Sequence, residues 1–216
     1  MDRRRFLARC EPADLVFAEV LAEPRERIRH ACFPTEGFVS LTVPMDERTS
    51  LEVGLVGDEG MLGISLLLGV DVSPLHALGQ GEGPALRTAA APFRGELEQS
   101  LALQRKLKRY LHVVMGQPTQ TAACTRCHGV EARLARWLLM TQERAHSDEL
   151  HVAHEFLAYM LGVRRAGVTK AATSLEDCKL IRYCRRDVTI LDRRHPEAAS
   201  CARWAAGNAT YARWMS

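Results

Sequence analysis

No hydrophobic run in this chain is long enough to cross a bilayer. The longest uncharged apolar stretch, Met61 to Val70, falls well short of the roughly 20 residues that a helical span needs. A disulfide framework is also missing: cysteines 10, 32, 124, 127, 178, 184 and 201 are odd in number and scattered, which suits a reducing cytoplasm. Arg3-Arg4-Arg5-Phe6-Leu7 imitates a twin-arginine export signal, but Arg9, Glu11, Asp14 and Glu19 interrupt the apolar segment that must follow. Cys124-Thr125-Arg126-Cys127-His128 matches the c-type haem attachment motif. Without export that chemistry is not expected, and the two cysteines read as structural thiols.

Catalytic groupings are scarce as well. Only His30 and His76 lie in residues 1–92, and they are not at ligand spacing. His154-Glu155 is followed by Ala158, not by the second histidine of a zinc-protease helix. No nucleophile with a neighbouring base stands out. The expectation is therefore no enzyme, no cofactor and no metal. A metal-binding cupin-like enzyme and a protein-only adaptor are the competing classes.

The charge that is present is unevenly placed. Residues 1–92 carry 9 Lys/Arg against 14 Asp/Glu, 9 − 14 = −5, whereas residues 93–216 carry 20 against 12, giving +8. An acidic front and a basic back suggest two domains, with any nucleic-acid contact in the second.

Along the chain, residues 1–15 read as a short helix stopped by Pro12. Short β runs follow at Glu19–Ala22, Arg29–Phe33, Gly37–Val43, Leu51–Val56 and Ala85–Thr88, with a helical turn at Ile64–Leu68. Their length and spacing predict a compact antiparallel β roll of the cupin-like, jelly-roll kind. From Phe93 the period becomes helical. Leu103, Leu107, Tyr110, Val114, Gln117 and Thr121 make a heptad-like seam, and Leu97, Leu101, Leu111 and Met115 make a second stripe. One stripe suits the β domain and the other a partner subunit. Gly116 and Pro118 predict a kink or break near 114–118.

Residues 129–145 form an amphipathic helix through Val130, Leu134, Trp137, Leu138 and Thr141. His154–Leu161 and Arg165–Leu175 then read as two short helices joined at Gly162, which supplies a left-handed helix end. The second has an apolar back (Val168, Ala171 or Ala172, Leu175) and a polar front of Arg165, Thr169, Lys170 and Thr173, which suits a DNA major groove. Leu180–Cys184 and Val188–Asp192 flank Arg185-Arg186-Asp187 as a hairpin with two arginines at its tip. Residues 196–216 read as a helical tail with Trp204, Tyr211 and Trp214 to bury. The fold class is thus α+β, and the partition is 1–92 sensor-like roll, 93–128 central dimerisation helix and hinge, 129–195 winged helix-turn-helix, 196–216 tail.

That order resembles the Crp/Fnr family of bacterial transcription regulators. The likeness runs from about Val16 to Asp192 and is carried most specifically by VEARLARWLLM, HEFLAYMLGVRRAGVTKAATSLE and LIRYCRRDVTILD, with FPTEGFVSLTVPM and LEVGLVGDEGMLGISLLLG in the roll. It implies a cytoplasmic homodimer, paired through the helix around Leu103–Val114, that binds a two-fold symmetric operator and recruits or blocks RNA polymerase. By position, Arg165 matches the arginine that reads guanine, and Lys170 a second basic reader. Arg164, Gly167 and Thr169 fall at turn and backbone-facing positions, with Thr173 on the same helix and Arg185 and Arg186 on the wing. Ala166 departs from the family's glutamate, so the operator is expected to differ. A cyclic nucleotide needs a cation for its phosphate, and no Lys or Arg occurs from Thr49 to Leu86, so none is expected to bind. Cys10 alone does not make the N-terminal cluster of the iron–sulfur members.

Overall fold

The computed structural model describes residues 3–46 and 49–191. The chain divides into two compact units: residues 3–41 with 55–115, and residues 42–54 with 116–191. The expected tail helix at 196–216 lies outside the described residues.

The chain opens with helix α1 (Arg3–Leu7), followed by β1 (Glu11–Leu15), β2 (Val20–Ala22), β3 (His30–Pro34), β4 (Phe38–Pro44), β5 (Ser50–Val56), a 3-10 turn at Ile64–Leu68, β6 (His76–Gly81) and β7 (Gly83–Ala89); all belong to the first unit except the end of β4 and the start of β5, residues 42–54. One sheet has the order β1-β7-β3 and the other β2-β6-β4-β5. The β1–β7, β3–β7 and β2–β6 pairings are antiparallel. The roll predicted from strand spacing is therefore present, with two differences. Residues 11–15 are strand, not the end of the first helix. The helix ends at Leu7, five residues before Pro12, so the proline does not stop it; Pro12 lies in β1, a sheet edge, where a residue without an N–H is tolerated. β6 passes through Gly79 and Gly81, which look like breakers in the sequence. A Cβ on Gly79 would collide with the Val16 carbonyl, and one on Gly81 with the Phe38 ring, so this strand needs its glycines.

Two helices close the roll: α2 (Ala90–Gln99) and the first half of α3 (Leu101–Cys127). Phe93 of α2 is fully buried against Phe33, and Phe6 of α1 meets Phe33 edge-on at 5.5 Å. Arg5 and Arg9 both reach the buried Glu96 carboxylate at 2.9 Å, tying α1 to α2. Leu103, Leu107 and Tyr110 join this core, with Val114 packed on it. Of the two apolar stripes on α3, the heptad-like one therefore faces the chain's own roll as far as Val114. In the second stripe Leu97 is buried, while Leu101 and Met115 stand 67% and 63% exposed. Of the kink or break expected near 114–118, the break does not occur. α3 runs through Pro118 to Cys127, with the boundary between units falling at Met115/Gly116. A proline removes one intrahelical bond, at about 3 kcal/mol, and a 27-residue helix can carry that loss.

The second unit holds the rest of α3, then α4 (Val130–Ala145), β8 (Glu149–His151), α5 (His154–Leu161), α6 (Arg165–Asp177), β9 (Ile181–Cys184) and β10 (Asp187–Ile190). Its sheet has the order β8-β10-β9. The three-residue β8 was not foreseen, because ELH is too short to show a period. Among the described residues no helix is long and apolar enough to cross a membrane.

Candidate nucleic-acid interface

α5 and α6 are held at a fixed angle by the turn between them. Gly162 sits at φ 61°, ψ 43°, and the Val163 N–H donates to the Ala158 carbonyl at 3.0 Å. A Cβ on Gly162 would stand 3.2 Å from the Ser50 carbonyl oxygen and from Met45 Sδ, so crowding adds to the left-handed backbone. α6 buries Val168, Ala171, Ala172 and Leu175. Leu134, Ala135, Leu138 and Leu139 of α4 and Leu157 and Met160 of α5 complete the same core. Truncating Leu175 to alanine would cost about 2–5 kcal/mol, so this apolar back fixes which side of α6 faces outward.

That outward side carries the residues predicted from the sequence. Arg165, Ala166, Thr169, Lys170 and Thr173 are all exposed, Gly167 is half-buried, and Arg164 is the exposed N-cap. The wing hairpin pairs Cys184 with Asp187, leaving Arg185 and Arg186 as a two-residue tip. Both are exposed, and Arg185 adopts φ 59° at the first loop position, a place that favours glycine.

The structure adds groups that no sequence period linked. Arg165 Nε lies 3.1 Å from Glu155 Oε1, in an ion pair whose side chains are 66% and 64% exposed. Thr169 is not a bare hydroxyl: Oγ1 donates to the Arg165 carbonyl at 3.2 Å and lies 3.1 Å from His154 Nδ1. The His154 ring stacks on Tyr183 of β9, centroids 4.2 Å apart and planes 25° apart. Burial, then the nearby Arg165 charge, lowers the His154 pKa below its ordinary value, opposed by Glu155. Burial also pushes the Tyr183 phenol up, and its hydroxyl donates to the Val152 carbonyl at 3.2 Å. The Tyr183 N–H donates to Glu176 Oε1 at 3.1 Å. His154, Glu155 and Tyr183 thus link α5, α6 and the wing. The one hint in the sequence was an aromatic in a strand otherwise flanked by Arg182 and Cys184.

Other candidates do not converge here. Cys124 is buried and Cys127 exposed, so the two thiols face different surroundings. Among the described residues no three His, Cys, Asp or Glu side chains cluster as a metal site.

Residues 132–195 match the family model of the Crp-like helix-turn-helix domain. FixK2 from Bradyrhizobium japonicum superposes with a TM-score of 0.75 at 12% identity, covering 89% of this chain and 98% of that one. The c-di-GMP-responsive global regulator CLP of Xanthomonas campestris gives 0.70 at 16%, covering 88% and 97%. A Crp/Fnr-family transcriptional regulator from Thermus thermophilus gives 0.70 at 21%, covering 89% and 100%. At these identities the likeness shows the fold. No curated protein matches the chain in sequence.

Proposed function

We propose that this chain, which carries a Crp-like helix-turn-helix domain, belongs to the Crp/Fnr family and is a sequence-specific transcription regulator that reads a two-fold symmetric operator as a homodimer. The carrying observation is the outward face of α6: Arg165, Thr169, Lys170 and Thr173 exposed over a fully apolar back. A helix of this width enters the B-DNA major groove, where the Arg165 fork suits guanine O6 and N7 and Lys170 suits a second acceptor. Arg164, Gly167 and Thr169 supply the turn and phosphate-facing positions, and Arg185 and Arg186 reach phosphates from the wing. The reading divides the chain into a sensor-like roll at 1–92, a central helix and hinge at 93–128, the DNA-binding domain at 129–195 and the tail. In this reading the roll binds no cyclic nucleotide, since residues 49–86 offer no cation to a phosphate. RNA polymerase is the partner, and the cytoplasm the compartment.

DNA binding measured over a salt series, with a binding-site selection, tests this. Affinity should fall linearly in log–log form, with a slope of about −0.9 for each phosphate neutralised. Arg165→Ala or Lys170→Ala should each cost about 1–3 kcal/mol on the selected site. Binding without sequence preference, unmoved by either substitution, would instead leave a protein-only adaptor.

A further inference from the structure

The second unit also contains a cavity with no residue of α6 in its wall. Its volume is about 30 Å³, and it lies between Glu52 of β5, Thr121 and Cys124 near the end of α3, and Arg133, Arg136 and Trp137 of α4. All six belong to the same unit, and the rest of the wall is largely apolar. Two of the polar groups are unusual. Arg136 is 9% exposed, yet its Nη1 donates to the neutral Thr121 hydroxyl at 3.2 Å, and no protein group accepts from its Nε. Trp137 is 4% exposed, and its indole Nε1–H is likewise without a protein acceptor. The other guanidinium, Arg133, donates to the Leu161 carbonyl.

A buried charge is costly unless a counter-charge stands against it. The lining holds two guanidinium groups and one carboxylate, Glu52; with Cys124 as the neutral thiol, 2 − 1 leaves one positive charge. Guanidinium and indole groups donate only, so whatever answers them must accept. An acceptor that is itself negative answers the charge and the two N–H groups together. Space limits its size. A water-sized group needs about 10–15 Å³, so this cavity has room for about two or three of them.

We propose that this cavity binds a small monovalent anion, a halide or a two-oxygen ion such as formate or nitrite, held by Arg136 and by the Trp137 indole N–H. The ion supplies the counter-charge that Arg136 lacks, and Thr121 holds the guanidinium in place to receive it. Larger tetrahedral ions such as sulfate do not fit the volume. The site goes beyond the DNA-reading function and does not depend on it.

Two-dimensional proton–nitrogen NMR of the full chain tests the proposal. The three tryptophans give three indole N–H signals, and Trp137→Phe identifies the one at the cavity. Sodium formate, nitrite and chloride are each titrated to about 0.1 M against sodium gluconate, whose anion is too large to enter, so that charge screening stays constant. The Trp137 signal should move and saturate while those of Trp204 and Trp214 stay. An ion of three heavy atoms is held no tighter than about millimolar, so half-saturation should fall on the order of 1–10 mM. Saturation by formate and nitrite, with chloride much weaker, assigns a two-oxygen ion; the reverse assigns a halide. Arg136→Met should abolish the movement and, in gluconate, unfold in urea at a midpoint no lower than the parent's, because it removes an uncompensated charge. Saturating anion should raise the parent's midpoint and leave the variant's unchanged. Absence of a saturating movement in the parent overturns the proposal, whether or not the variant folds. So does an equal response to sulfate, an equal movement of all three indole signals, or a response that survives in Arg136→Met.

Discussion

Consider Glu155→Gln. In the proposed reading Arg165 offers its guanidinium to a base edge, whereas its Nε lies 3.1 Å from Glu155 Oε1. Binding DNA therefore exchanges an existing ion pair for a new contact. Both side chains are about two-thirds exposed, so the pair contributes about 0.2–1 kcal/mol. Removing it takes that cost out of the free state and should tighten operator binding by about 1.4- to 5-fold. Stability should move the other way. Glu155 is also an acid in the first turn of α5, where it complements the helix dipole by about 0.3–1 kcal/mol. With the lost pair, unfolding should become easier by about 0.5–2 kcal/mol. Fluorescence anisotropy on the selected operator reads the first effect, and urea denaturation the second. The decisive control is the cycle with Arg165→Ala, in which Glu155→Gln should lose most of its benefit. Weaker binding by Glu155→Gln in the parent background would refute the reasoning, because it would mean that the carboxylate aims Arg165 instead of occupying it.

Four further outcomes are expected. Ala166→Glu restores an acceptor for cytosine N4 and should change base preference at one position per half-site, read by binding-site selection. Arg185→Gly relieves a left-handed non-glycine residue, so thermal or urea unfolding should show a gain of about 0.5–1 kcal/mol, while the salt slope of DNA binding falls by about 0.9 for the lost phosphate contact. Gly162→Ala puts a Cβ against Ser50 and Met45 at a left-handed position and should destabilise the chain by about 1–2 kcal/mol, measured by urea unfolding. The fourth concerns pH. His154 resists protonation in the folded chain more than in the unfolded one, so stability is full above the ordinary value of 6.5 and is lost as pH falls below it. Urea midpoints across that range should drop less in His154→Gln than in the parent.

How much of this was legible beforehand varied with the physics of each segment. The DNA-binding unit was clear because its signals are local: one left-handed glycine, one buried stripe on a short helix, and one basic hairpin tip all lie within a few turns of each other. The roll was legible in kind and less so in detail. Pro12 and Gly79 were read by their average preferences, whereas an edge position and a close carbonyl decided their roles. On α3 both apolar stripes were visible, but their directions were not, since period alone does not say which side meets the roll. The contacts of His154 with Thr169 and Tyr183 join positions 15 and 29 residues apart, beyond the reach of any periodic argument.

The small strand β8 has a consequence for how an operator is chosen. It pairs with β10, and just beyond it the Val152 N–H donates to the Arg186 carbonyl at 2.6 Å, while Tyr183 ties β9 back to the chain entering α5. The wing is thus tied to the strand and chain that lead into α5, and in the proposed reading it and α6 would present to the duplex a gauge of set width. A gauge of this kind does not stretch to suit a poorly matching stretch of groove; the duplex must be compressed or bent to meet it. Discrimination among operators would then fall partly on base steps that no side chain touches, through how readily each yields.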